Sequence, residues 1–367
     1  MTPRERMQAV LRGEQPDAMA WCGDMTYWHA SHAEIGDLPE RWQGKDGRHR
    51  LNQELGLSEY VPGCTGGDTV EGAEVRHETI QDDGKLLNRW ITPVGTLQET
   101  QTYSSESYSW GYTEHAIKTL DDLRVVRYIY ENRRFISASD RFTKEDAEYA
   151  AFGLGPTHAA GPPTPISELN NHWIGVMELT YLLMDEPEEM HRTLDAIGVF
   201  NDEVYHRMAE APPSCVMINE NLSATTMGGY FSDYIAPYVR RWTTWLREGG
   251  HISMLHNDGT LRGTLEKLGP AGVDCIDSVV PKPVGDVEIA DLRHMAGNKV
   301  ILIGGLPGAM FAPPFTAKDI EKQVKEIIRC HKDSNKFIFG VADQVPPNGD
   351  LALVRLVGNL IEEFGRY

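Results

Sequence analysis

His256 stands directly behind the apolar run Ser253-Met-Leu255 and ahead of Asn257-Asp258-Gly259, and it is the side chain best placed to do chemistry. An imidazole there can move a proton near neutral pH or bind a metal. The same arrangement recurs along the second half of the chain. Cys215-Val-Met-Ile-Asn219 runs into Glu220, Asp274-Cys-Ile276 into Asp277-Ser278, and Phe337-Ile-Phe-Gly-Val341 into Ala342-Asp343-Gln344. Glu220, His256 and Asp343 thus offer hard nitrogen and oxygen donors behind three separate apolar segments, a set suited to a metal with an open position. Each carboxylate also has a plainer reading: Asp258 can cap the following helix, and Asp343 can accept loop amide hydrogens. Asp24, Tyr27 and Trp28, with His29, form a polar and aromatic cluster that reads as a pocket wall or as packing. Asn257 and Tyr230 join the candidate substrate-binding residues. Cys215 and Cys275 read as core thiols, and His158 and His172 as structural. No G-x-S-x-G or Walker loop signals a serine nucleophile or a nucleotide site.

Strand ends can converge only if the strands share a sheet. From residue 148 the chain alternates short apolar segments, at 150–154, 173–177, 215–219, 251–255, 273–276, 299–303 and 337–341, with helical stretches. The helical stretches are 187–210, 233–248, 260–268, 287–296, 317–331 and 350–364. Alternation of this kind implies parallel pairing, because a crossover helix must return the chain to the same end of the sheet. With a first strand near Ala18-Met-Ala-Trp21 the segments number eight, which predicts a (β/α)8 TIM barrel. Its active residues then lie past the C-terminal ends of the strands. An open doubly wound sheet is disfavoured because no G-x-G-x-x-G follows an early strand. Thr2, Pro3 and Glu5 predict a capped N-terminal helix with Met7, Val10 and Leu11 as its apolar stripe. Between about 74 and 105 the period changes to two. The Asp83-Gly84 pair and the Pro93/Gly95 turn then predict a three-stranded antiparallel insertion in a single domain over 1–367.

Composition narrows the function classes. The 367 residues carry 35 Lys+Arg against 54 Asp+Glu, a net charge of -19, with 41% hydrophobic residues. Such a surface repels nucleic acid and anionic membranes. No run of 18 apolar residues is present, and the N-terminus lacks the apolar stretch of a signal peptide. Five scattered cysteines, Cys22, Cys64, Cys215, Cys275 and Cys330, suit reduced thiols. The expectation is a soluble cytoplasmic protein.

Several stretches resemble the uroporphyrinogen decarboxylase superfamily: Thr2-Pro-Arg-Glu-Arg-Met-Gln-Ala-Val-Leu11, Tyr230-Phe-Ser-Asp-Tyr-Ile-Ala-Pro-Tyr238, Met254-Leu-His-Asn-Asp-Gly259, Leu302-Ile-Gly-Gly305 and Ala342-Asp-Gln-Val-Pro-Pro347. The resemblance covers nearly the whole chain outside the insertion and implies the barrel. The decarboxylases of that superfamily carry an arginine loop after the first strand and a histidine at the last strand end. Here residues 17–32 contain no arginine, and Asp343 stands at the last position. The resemblance is therefore closer to the corrinoid-dependent methyltransferases and demethylases, which bind zinc through His-x-Cys and a later Cys. His256 matches that histidine, and Asp258 and Asp343 align with the two cysteines. Some methyl-ether demethylases use Glu and His ligands, and Glu220 falls where the Glu would.

On this likeness the chain is expected to pass a methyl group from a small methylated substrate, such as a methoxylated aromatic, to a corrinoid protein. Zinc held by Glu220, His256, Asp258 and Asp343 would then polarise the ether oxygen. Tyr27, Trp28, Trp110 and Tyr230 are expected to wall the substrate, and a homodimer is compatible with the chain. Two alternatives stay open. One is a metal-dependent decarboxylase or lyase using a cation such as Arg293 or Lys282, and the other is a binding protein without catalysis.

Overall fold

The computed structural model describes residues 1–59, 66–212 and 214–367, so Cys64 lies outside it. Eight parallel strands form one curled sheet: β1 (Ala20–Asp24), β2 (Ser58–Glu59), β3 (His158–Gly161), β4 (Cys215–Leu222), β5 (Ile252–Asn257), β6 (Cys275–Val279), β7 (Ile301–Pro307) and β8 (Phe337–Gln344). Their order around the sheet is β2-β1-β8-β7-β6-β5-β4-β3. Between the two terminal strands the ladder is open, and Ser58 Oγ donates to Gly155 O at 2.7 Å across that seam.

Alternation along these strands sorts the apolar side chains into two cores. Ala20, Cys22, Cys215, Met217, Met254, Cys275, Ile301, Ile303 and Ile338 pack together in the lumen. Trp21, Val216, Ile218, Leu222, Leu255, Ile276, Leu302, Phe337 and Phe339 face the surrounding helices. Met7 and Val10, from the helix Pro3–Leu11, belong to the lumen core, so this helix closes the starting end of the sheet. Its capping box is formed by Thr2 and Glu5 with Pro3 in the first turn, as the sequence predicts.

Two expected strands are not strands. Residues 150–154 include the end of the helix Ser139–Ala151, and 173–177 lie in the π-helical turn Leu169–Trp173 and the start of the helix Val176–Asp185. Short apolar runs do not separate strand from helix by period, and these two were filled as helix. The places go instead to β2, two residues long, and to β3, whose small His158-Ala-Ala-Gly161 leaves little apolar signal. The antiparallel insertion has four strands rather than three: Arg76–Asp82, Lys85–Thr92, Gly95–Ser104 and Ser109–Glu114. It lies on the rim between the segments that follow β1 and β3. Trp90 packs on Trp173 at 4.9 Å, Tyr103 donates to Glu34 at 2.5 Å, and Tyr27 donates to the carbonyl of Ser107. Among the described residues no helix is long and apolar enough to cross a membrane.

Candidate active site

The parity that places Cys22, Met254 and Cys275 in the lumen carries on to Asp24, His256 and Asp277, two residues further along each strand. The lumen therefore changes from apolar to ionisable at the C-terminal ends of β1, β5 and β6. β5 and β6 pair with His256 opposite Asp277, and the ring Nδ1 of His256 lies 3.0 Å from Asp277 Oδ2. A carboxylate at that distance takes an N–H from Nδ1, which assigns the proton there and leaves Nε2 toward the mouth. Asp277 is 2% exposed.

Burial alone pulls the imidazole of His256 down. The hydrogen bond and charge of Asp277, with the charges of Asp343 and Asp258, override burial and lift His256 to about 9. Burial raises Asp343 to about 6; the His256 charge works against this, and Asp277, Asp258 and Asp24 reinforce it. Asp24 is raised by burial, against hydrogen bonds from Thr26 and Gln344 and the charge of Arg48. Four of the expected residues, Asp24, His256, Asp258 and Asp343, are thus brought within electrostatic reach of one another. His158, in the lumen at the start of β3, is pushed down to about 4 by burial and stays neutral.

These shifts predict a titration that histidine NMR can read. His256 should remain an imidazolium up to about pH 9 and His158 neutral down to about pH 4. The stability that His256 adds is complete below about pH 6.5, its ordinary value, and is lost as pH rises through about 9. A His256 resonance already neutral at pH 7.5 would contradict the ion pair.

Glu220 is placed differently. It lies where the pairing with β5 breaks register between Ile218 and Leu222, is fully buried, and takes hydrogen bonds from Thr164 N at 2.8 Å, Thr164 Oγ1 at 2.7 Å and Ser167 Oγ at 2.5 Å, with the helix-facing Tyr205 beside it. Its carboxylate holds the segment after β3 from outside the lumen. Burial, against those hydrogen bonds, raises it to about 7. The expected metal set does not assemble: among the described residues no three His, Cys, Asp or Glu side chains are placed to hold a metal ion.

The remaining expected residues divide. Tyr27 reaches the insertion. Trp28 is 6% exposed, donates to Gly349 O at 3.0 Å and packs edge-on against Trp42, so it serves the core. Trp110 lies exposed against Tyr103. Tyr230 bonds Thr180 Oγ1 at 2.8 Å on the rim. Asn257 is fully buried beside Leu222, on the helix-facing side, and does not orient His256. Lys282 pairs with Glu288, and Arg293 donates to the carbonyls of Gly297, Val300 and Lys336 beneath the starts of β7 and β8; neither supplies a cation to the mouth. Arg48, whose charge acts on Asp24, is itself ion-paired with Glu59. Asp277, central to the site, was legible only as one more residue behind an apolar run; counting two from Cys275 along the lumen face would have found it.

The family model described as uroporphyrinogen decarboxylase (URO-D) matches residues 159–364, more than half of the chain. Among solved structures, a methyltransferase from Methanosarcina mazei superposes with a TM-score of 0.60 over 99% of both chains at 15% identity, which establishes the fold. A D-psicose 3-epimerase with D-tagatose from Clostridium cellulolyticum H10 overlaps 62% of this chain and 83% of its own at 9% identity. Its TM-score of 0.33 is too low to carry an argument. No curated protein matches the sequence.

Proposed function

Since the chain belongs to the uroporphyrinogen decarboxylase family, we propose that it is a methyltransferase of the O-demethylase type, passing a methyl group from a small methylated, uncharged substrate to a reduced corrinoid on a separate protein. The observation that carries this reading is the charged His256–Asp277 pair at the head of an otherwise acidic lumen. Asp24, Asp258 and Asp343 lie within reach of it, so a polycarboxylate such as uroporphyrinogen meets like charge, and the Arg48 guanidinium that acts on Asp24 is taken up by Glu59. A neutral ether meets one acid, His256.

The corrinoid supplies the nucleophile. The protein's own part is to orient the substrate and to protonate the oxygen that keeps the C–O electron pair when the methyl carbon departs. The Nε2 proton of His256 passes to that oxygen, which turns a poor alkoxide or phenoxide leaving group into an alcohol or phenol. Asp277 keeps the ring oriented and charged until that moment. The donors as folded do not fit a metal, so the chemistry assigned to the mouth rests on His256 and Asp277.

The test supplies the purified protein with methoxylated aromatics and a reduced corrinoid protein, and follows the corrinoid absorbance. Methyl transfer is expected with at least one aromatic ether, and no decarboxylation is expected with uroporphyrinogen. Turnover of uroporphyrinogen at an enzymatic rate would overturn the reading and return the decarboxylase alternative.

A further inference from the structure

The helix Val176–Asp185 lies in the connection between β3 and the long returning helix Pro187–Ala209, on the rim of the mouth. Its inner face is anchored by the fully buried Leu179, and Thr180 bonds Tyr230 from the connection after β4. Its outer face is unusual. Met177 is 63% exposed, Tyr181 52% and Met184 74%, spaced by four and three residues so that they form one stripe. Val176, 40% exposed, extends it toward His115, against which the partly exposed Tyr112 is stacked at 4.8 Å. Scattered apolar side chains on a surface are ordinary, but a contiguous Met and Tyr stripe rimmed by polar residues marks a contact surface.

The charges beside the stripe say what kind of partner fits. Glu178 and Asp185, two helical turns apart, are exposed and flank it on one side. The neighbouring cation, Arg192, is taken up by Glu188 and Glu189. A second copy of this chain, packed antiparallel across the stripe on a two-fold axis, would set carboxylate flank against carboxylate flank. Anionic lipid is repelled for the same reason. The stripe fits a protein that presents an apolar patch within a basic border.

We infer that this helix is the docking surface for the methyl-accepting carrier protein, seated through Met177, Tyr181 and Met184 so that it overhangs the mouth. This rests on the methyl-transfer reading above, and the experiment separates the two. Methyl transfer is measured with two acceptors: free cob(I)alamin, and the corrinoid protein purified from the same cells by its absorbance. Binding of the two proteins is measured separately by calorimetry without turnover. The variant Met177→Glu with Met184→Glu should raise the half-saturating carrier concentration at least about tenfold, as the loss of a central apolar contact does. Its rate with free cob(I)alamin should be unchanged. Met177→Leu with Met184→Leu should behave as the unaltered protein, and so should Val199→Glu, an equally exposed position on the next helix.

Unchanged carrier affinity in the Glu variant overturns the docking surface, and so does an equal loss of rate with both acceptors or the same defect in Val199→Glu. If the unaltered protein transfers methyl to neither acceptor, the methyl-transfer reading fails; calorimetry then still decides whether the helix binds the carrier.

Discussion

Replacing His256 with glutamine is expected to leave a folded protein whose methyl transfer is reduced by about 10²–10⁴-fold, the range over which a positioned general acid contributes. Glutamine is the informative substitution because its amide can still donate to Asp277 while having no proton to give the leaving oxygen. Alanine would take the imidazole partner from the carboxylate of Asp277, which is 2% exposed, and breaking a buried pair from one side costs about 3–5 kcal/mol. A loss of activity in His256→Ala could therefore reflect unfolding, whereas a loss in His256→Gln, measured where its urea curve shows it fully folded, reflects the missing acid. Asp277→Asn sharpens the test. Without the carboxylate that lifts it to about 9, His256 should lose its proton at lower pH, and the alkaline limb of the rate profile should move down toward the ordinary histidine value of about 6.5. Full activity in His256→Gln, or an unmoved alkaline limb in Asp277→Asn, would remove His256 as the acid.

How far this site could be read in advance follows from which signals were local. The strands that carry His256, Asp277 and Asp343 were legible because each is a compact apolar run bounded by helical sequence, and β5 to β8 fall close to their expected places. The strands β2 and β3 were not, since two residues and a small, glycine-ended segment carry almost no hydrophobic signal; their pairing is decided by neighbours far away in sequence. The same distinction governs the site residues. Position behind a strand brings a side chain to the correct end of the sheet, but the alternation decides which face it occupies. His256 and Asp277 follow the lumen series of Met254 and Cys275, whereas a bulge between Ile218 and Leu222 interrupts the series at Glu220, which is placed by its bonds to Thr164 and Ser167. The partners that hold Glu220, Thr164 and Ser167, lie more than 50 residues upstream and left no mark beside it.

The placement of Glu220 yields the second large effect, and it falls on stability. Glu220→Ala removes the acceptor of three hydrogen bonds and leaves Thr164 N, Thr164 Oγ1 and Ser167 Oγ buried without it. Each buried donor left unsatisfied costs about 1–3 kcal/mol, so a loss of roughly 3–5 kcal/mol is expected, visible as a large fall in the urea midpoint. Glu220→Gln should lose less, because its carbonyl oxygen still accepts two of the three. The pH dependence gives an independent sign. The folded value of about 7 lies above the ordinary 4.5, so between these limits the folded state binds more protons than the unfolded one. Stability must then fall as pH rises through that window, and the burial penalty is complete above about 7. Asp343 contributes in the same direction at lower pH, up to about 6, and His256 at higher pH, from about 6.5 to 9. The difference between the unaltered protein and Glu220→Gln isolates the Glu220 share, since both retain the other two groups. A carboxylate acting in the mouth predicts the opposite pattern: Glu220→Ala would unfold at the original urea concentration and lose activity alone. That result would return Glu220 to the lumen.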